Sequence, residues 1–323
     1  MLTRRHLLAG SAAALAAGSP AWADTDWPTK PVKVIIPYPP AGGADTTGRI
    51  FFQKLSEMWG KSFVIDNRGG AGGTIGEAVA AKSDPDGSTI LYDATAFSVN
   101  PSLYPKLSFD YGKDFMPVFL ASLVPNILVV TPSVEVKTVK DIIELAKKTP
   151  GGLDFASSGN GTLQHLSLEL LKFQAKVPIN HIPYRGGGLA LNDVIAGQVK
   201  FFFSNGSSSV GLVQAGTVKA IAHTGKGRLG TLPDLPSVDE TLPGFVAYEW
   251  NGVFVPAGTS GEIVKKLNAG LNEVLRQPDV IEHLKKLNVD YKQNTPEEFR
   301  AFVAEETAKW GNVVREAGIK LGG

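Results

Sequence analysis

Short apolar strands alternate with helical segments twice along this chain, and that rhythm limits the fold more than any other feature. Val32-Lys33-Val34-Ile35-Ile36 is a β-branched run that ends at Pro37-Tyr38-Pro39-Pro40-Ala41-Gly42-Gly43, and a helical pattern follows over 45–59. A second strand is expected over 62–66, a glycine loop over 69–73, a helix over 75–83 and a third strand over 89–92. The pattern restarts after Pro125. Strands are expected over 126–131, 154–157, 179–182, 199–203 and 218–223, with helices over 139–147, 162–175 and 189–196. Strand–helix alternation of this kind builds βαβ units around a mainly parallel sheet. Residues 224–245, rich in Gly, Pro and Asp, read as a long loop. One more strand (250–255) leads into three helical segments, 260–275, 278–287 and 296–317, opened by Ser260, Pro278 and Thr295-Pro296-Glu297-Glu298 as start signals. The reading is α/β: two lobes, 27–125 and 126–248, with the stretch 249–323 returning to the first lobe as a helical tail.

Length and composition agree. The 323 residues suit one large or two medium domains, and 43% hydrophobic with 20% charged residues is a globular balance. A formal charge of +1 provides no broad cationic field for nucleic acid or an anionic membrane. The absence of cysteine removes disulfides, thiolate catalysis and Cys-based metal sites.

The first segment is an export address. Arg4-Arg5 precede an apolar run from Leu7 to Ala17, and Ala21-Trp22-Ala23 supplies a cleavage site after about Ala23. The run is too short to span a bilayer stably. The paired arginines point to the Tat route, with an ordinary Sec signal as the alternative. Removal of residues 1–23 takes the charge from +1 to −1. The mature protein is expected in the periplasm.

Two loops at strand ends have the makings of an anion site. Tyr38 to Gly43 opens a helix, where unsatisfied N–H groups collect and glycine lets a ligand approach the backbone. A tight turn explains the same residues equally well. Ser157-Ser158-Gly159-Asn160-Gly161-Thr162 repeats the design, and its hydroxyls, amide and N–H groups can wrap a carboxylate without a lysine or arginine. An N-cap at Thr162 accounts for one of these residues and leaves the others to be explained.

Other chemistry finds little support. The spacing after Gly159-Asn160-Gly161 puts Gln164 where a dinucleotide fingerprint needs glycine, and Gly70-Ala71-Gly72 with Gly76 has one residue too many. The mature histidines, His165, His181, His223 and His283, show no metal-ligand spacing. His165 in the first turn after the Ser-rich loop can face a ligand or be structural. Glu297-Glu298 and Glu305-Glu306 read as a solvated helix face. No nucleophile–base–orienter set assembles, and no metal or cofactor is implied.

These residues together resemble the Bug-type receptors of tripartite tricarboxylate transporters. The resemblance runs through Val34 to Asp45, Asp66-Asn67-Arg68-Gly69-Gly70-Ala71-Gly72-Gly73, Pro85-Asp86-Gly87, Asn100-Pro101-Ser102-Leu103-Tyr104, Ala156 to Thr162, His181-Ile182-Pro183-Tyr184-Arg185-Gly186-Gly187 and Leu232-Pro233-Asp234-Leu235-Pro236. It implies a two-lobe, periplasmic-binding-protein-like (type II) fold with a cleft between the lobes, no catalysis, and a small organic acid as ligand. It implies membrane transporter subunits as partners, no nucleic acid, and a monomer. Carried over by position, the first-lobe ligand residues are Tyr38, Ala41, Gly42, Gly43, Asp45, Thr95 and Ala96. Those of the second lobe are Ser158, Asn160, Gly161, Thr162, Tyr184, Ser204 and Asn205, although Tyr184 suits a packed aromatic and Asn205 a turn residue equally well.

Two departures stand out. Many such receptors have three glycines where this chain has Ala41-Gly42-Gly43, and many have an acid where it has Ser204. A serine brings no charge to an ammonium group, which favours a dicarboxylate, or an aromatic acid stacking near Tyr38, Phe97 or Trp250, over an amino acid. A sensory receptor of the same fold and an exported nucleotide-cofactor oxidoreductase are the alternatives.

Overall fold

A computed structural model of the chain describes residues 26–320 apart from 41, 105, 185 and 288. The export segment and Ala41 therefore lie outside the described residues. The first βα run forms β1 (Val32–Ile36), α1 (Gly43–Trp59), β2 (Phe63–Asn67), α2 (Thr74–Ala81), β3 (Thr89–Ala94), α3 (Ala96–Leu103) and β4 (Phe115–Val130). The second forms α4 (Val139–Lys148), β5 (Leu153–Ser157), α5 (Leu163–Ala175), β6 (Ile179–Pro183), α6 (Gly187–Ile195), β7 (Phe201–Asn205), α7 (Gly206–Gln214) and β8 (Lys219–His223). The last part is β9 (Tyr248–Pro256), α8 (Gly261–Val274), α9 (Pro278–Lys286) and α10 (Pro296–Glu316).

The strand order is β2-β1-β3-β9-β4-β7-β5-β6, with β8 also on β4. β1, β2 and β3 run parallel, as do β5, β6 and β7. The expected mainly parallel sheet is corrected at its middle, where β9 and β4 are antiparallel to their neighbours. β4 is the reason. Its first part pairs with β9 as far as Pro125↔Tyr248, and from Asn126 onward it pairs with β7 and β8. One strand thus closes the first half-sheet and becomes the inserted strand of the second. Each half then has the same order: second, first, third, a strand from another part of the chain (β9 in the first half, β4 in the second), fourth.

The crossing is tied by hydrogen bonds. Asn126 N donates to Thr224 Oγ1 and Thr224 N to Asn126 O, both at 2.9 Å, and Ala247 N donates to Thr224 O at 2.9 Å. Both chain segments that cross between the halves, at 125–126 and at 247–248, are anchored on this one threonine.

Alternation along the strands accounts for burial on both faces. Leu128 and Val130 enter a core with Phe155, Leu166, Phe201 and Phe203, while Ile127 and Val129 enter another with Ala156, Leu191, Val194 and Phe202. In the first half Val34, Ile36, Phe51, Phe52, Tyr92 and Val253 form the matching core. α8 and α9 add Leu267, Leu271 and Leu284 to it. α10 is longer in reach: Phe299 packs with Trp250 and Phe254, whereas Trp310, Val313 and Val314 join Leu128 and Phe155. Its 21 residues span about 30 Å, enough to lie along both halves. The start signals at Thr162, Ser260 and Thr295 cap their helices by side-chain acceptance, and Thr138 does the same for α4.

Candidate functional site

The loops after β1, β3, β5 and β7 converge on a cavity of about 350 Å³. Larger grooves of about 730, 760 and 650 Å³ lie beside α1 and α8, beside α10, and beside the loop 231–236. Of these four, as lined by the described residues, the smaller cavity is the one that gathers strand C-terminal loops from both half-sheets, the place where open α/β sheets take ligands.

One wall is the Ser-rich loop and the start of α5. Thr162 Oγ1 donates to Gly159 O (2.8 Å) and accepts from His165 N, the N-cap bond. Gly161 N donates to His165 Nδ1 at 3.1 Å. His165 stacks on His181 with ring centroids 3.8 Å apart, and His181 Nε2 meets Ser157 Oγ. Burial pushes His165 down to about 3 and His181 to about 4, the neighbouring His181 and Lys172 adding to the first and Lys172 to the second. The pair is therefore a neutral prop under the loop. Above it, the side chains of Ser158 and Asn160 make no hydrogen bond to another described residue. The helix places the N–H groups of Leu163 and Gln164 in its unpaired first turn. Asn205 caps α7 through its Oδ1 (Ser207 N at 3.0 Å), which leaves its amide donor over.

The opposite wall holds Tyr38, Gly43, Gly72, Thr95, Ala96, Asn100, Tyr104 and Glu249. Tyr38 Oη donates to Asp93 Oδ1 at 2.7 Å. Asp93 is wholly buried and pushed up to about 6 by desolvation, the Tyr38 hydroxyl and the Ala94 N–H opposing this. Its Oδ2 meets no donor among the described residues. Glu77, equally buried, is pushed well above the carboxylate range by desolvation and by Asp93, while Tyr111 Oη and Asn100 Nδ2 donate to it. Glu249, half-buried, is pushed up to about 7 by desolvation and then by the charge of Asp93. No lysine or arginine lines the cavity among the described residues.

Of the residues expected from sequence, Tyr38, Gly43, Thr95, Ala96, Ser158, Asn160, Gly161, Thr162 and Asn205 meet at this cavity. Gly42, the N-cap of α1, is exposed and does not line it. Asp45 turns inward instead, held by Arg49 at 2.9 Å and Asn67 at 3.0 Å. Tyr184 donates to Asp193 at 2.7 Å and packs beside α6. Ser204 is 1% exposed within β7, so the argument against an amine that rested on it loses its geometry. Phe97 stacks on Phe254 at 4.0 Å and Trp250 is fully buried, which leaves Tyr38 as the available ring of the three. Thr95 bridges β9, donating to Tyr248 O (3.2 Å) and accepting from Trp250 N (3.0 Å).

Sequence reasoning passed over Gly72, Asn100, Leu103, Tyr104, Leu163, Gln164 and Glu249. Asn100, Leu103 and Tyr104 come with α3, a helix whose interior Pro101 hid it. Glu249 came just before a strand expected to start at Trp250; β9 begins at Tyr248 and places it at the cavity.

Comparison with known proteins gives the fold a family. The family model described as tripartite tricarboxylate transporter family receptor matches residues 48–319. BugT of Bordetella pertussis is 34% identical over 306 residues, covering 94% of each chain. The structure of R. palustris Rpa4515 with adipate is 34% identical at a TM-score of 0.82, over 92% of this chain and all of that one. MatC from Rhodopseudomonas palustris with bound malate is 31% identical at 0.78, over 89% and 100%. The two half-sheets are thus the lobes of a periplasmic-binding-protein-like fold with a helical C-terminal tail. The chain belongs to the family of Bug-type receptors of tripartite tricarboxylate transporters.

Proposed function

We propose that this protein is an extracytoplasmic solute receptor that binds a small carboxylate, with dicarboxylates and aromatic acids preferred over amino acids, and delivers it to membrane subunits of a tripartite transporter. The observation that carries the reading is the wall of uncommitted donors: Ser158, Asn160, the Asn205 amide and the first-turn N–H groups of α5. Such a wall holds a carboxylate through neutral, preorganised dipoles. Two similar structures, Rpa4515 with adipate and MatC with bound malate, carry acids that lack an amine.

The cavity suits capture better than catalysis. Among the described residues, the one contact that resembles a nucleophile and its base, Ser157 with His181, lies under the loop, and Ser157 is 0% exposed. Its hydroxyl is already engaged with the Gly159 backbone at 3.1 and 3.2 Å. The lobes are 27–125 with 249–323, and 126–248, closing about Pro125 and Tyr248 to Trp250, where two tied chain segments cross. The mature chain acts as a periplasmic monomer after Tat export. No described helix is long and apolar enough to cross a membrane.

A thermal-shift screen of aliphatic diacids, hydroxy diacids, benzoates and amino acids against the mature protein tests the reading. A bound acid raises the melting temperature by mass action. Stabilisation by amino acids and by none of the plain acids overturns the stated preference.

A further inference from the structure

The first-lobe wall is acidic, which a receptor for anions does not need. Glu249 stands between Tyr248 and Trp250 on β9, and Thr95 grips the backbone on either side of it. Trp250 points into the core, so strand alternation turns Glu249 to the other face, where it lines the cavity. No hydrogen bond or ion pair engages its carboxyl among the described residues. The ionisable groups around it are Asp93 on β3, Glu77 on α2, Tyr38 after β1 and Tyr104 after α3. Beneath the Ser-rich loop of the opposite wall lie His165 and His181, which are neutral. None of these brings a positive charge, and an acid entering the cavity adds another negative one. Carboxylates that share a confined site do not all stay ionised: one of them takes up a proton.

We propose that Glu249 is a specificity-determining residue that takes a proton from solvent as the ligand enters and donates the resulting O–H to a ligand carboxylate, so that a plain acid and one proton bind together. The proposal rests on the carboxylate reading above. It explains how an acidic wall and an anionic ligand coexist. It also selects by charge: a ligand bearing an ammonium group needs Glu249 ionised, a plain diacid needs it neutral. At neutral pH the empty site is already half prepared for the second case, because burial holds Glu249 at about 7.

Titration calorimetry with adipate, malate and benzoate, and with aspartate and glutamate for contrast, decides it. Each is run from pH 6 to pH 9 in pairs of buffers that differ in heat of ionisation. The expected result is net proton uptake that approaches one per ligand by about pH 8, with affinity falling toward tenfold per pH unit above that. Glu249→Gln keeps a neutral donor but not the titration. It is expected to bind several-fold more weakly than wild type at pH 6, with an affinity that stays flat to pH 9. Binding of a plain acid with no proton uptake and a flat profile overturns the inference and leaves the receptor reading intact. So does tight binding of aspartate or glutamate that Glu249→Gln abolishes. If no acid binds at any pH, the receptor reading falls and takes the inference with it. Should the variant fail to fold, the wild-type proton count decides alone.

Discussion

The hydroxyl of Tyr38 lies 2.7 Å from Oδ1 of Asp93 and, with the Ala94 N–H, holds this buried carboxylate. Asp93 has its folded pKa raised to about 6 from an ordinary 3.8. A raised acid binds its proton more tightly in the folded state, so it favours folding at low pH and loses that contribution as pH climbs from 3.8 through about 6. The Tyr38 bond eases this loss by serving the ionised form. Tyr38→Phe is therefore expected to cost about 1–3 kcal/mol, more at pH 8 than at pH 5. Urea denaturation at the two pH values measures it; an equal cost at both means the hydroxyl does not serve the charge.

Gly161 has φ of +75°, and a Cβ there would lie 2.6 Å from Leu103 Cδ1 on the opposite wall. Gly161→Ala forces both a left-handed alanine and a clash inside the cavity. The expected loss is about 1–2 kcal/mol of stability, together with at least about tenfold in ligand affinity. Denaturation and calorimetry on the one variant read the two effects separately.

His165 and His181 titrate far below the usual histidine value because burial penalises their charged forms. For a depressed histidine the folded state favours the neutral ring. Stability is then fully present above 6.5 and falls as pH drops below it toward about 4 and about 3. His181→Phe keeps a ring against His165 and removes one titrating group. Its stability is expected to fall less steeply below pH 6.5, by up to ~1.4 kcal/mol per pH unit. Denaturation midpoints from pH 7 to pH 5 show whether the slopes differ.

The cavity wall has no lysine or arginine among the described residues, so few formal charges meet the ligand. Raising sodium chloride from 0.05 to 0.5 M is expected to weaken binding by less than about threefold. A much steeper dependence shows that a cation outside the described wall takes part.

Most of the fold was legible because its signals are local. β-branched runs, glycine loops and caps at Thr138, Thr162, Ser260 and Thr295 mark β1, α4, α5, α8 and α10 within a few residues. What escaped was non-local. β4 carries Pro117 and Pro125 and serves two half-sheets, so a reader of propensities starts it at Asn126 instead of Phe115. α7 opens with Gly206-Ser207-Ser208-Ser209, poor helix formers that tertiary contacts overrule. Within the cavity, the Ser158 to Thr162 loop was readable from its own residues as a wall of polar groups at a helix start. Glu249 was not, because nothing near it in sequence shows that Asp93 and Tyr38 come to lie beside it. Asp45 and Ser204, expected at the ligand, lie off the cavity for a similarly non-local reason: Asp45 is held by Asn67 and Arg49, and Ser204 is buried where β7 pairs with β4.

Calorimetric titration of the acid that stabilises best into wild type and into a Ser158→Ala/Asn160→Ala double variant tests the central claim most directly. The wild type is expected to bind one acid per chain, and the variant to bind it at least about tenfold more weakly while melting within a few degrees of the wild type. Unchanged affinity in the folded variant would contradict the assignment of this cavity as the carboxylate site.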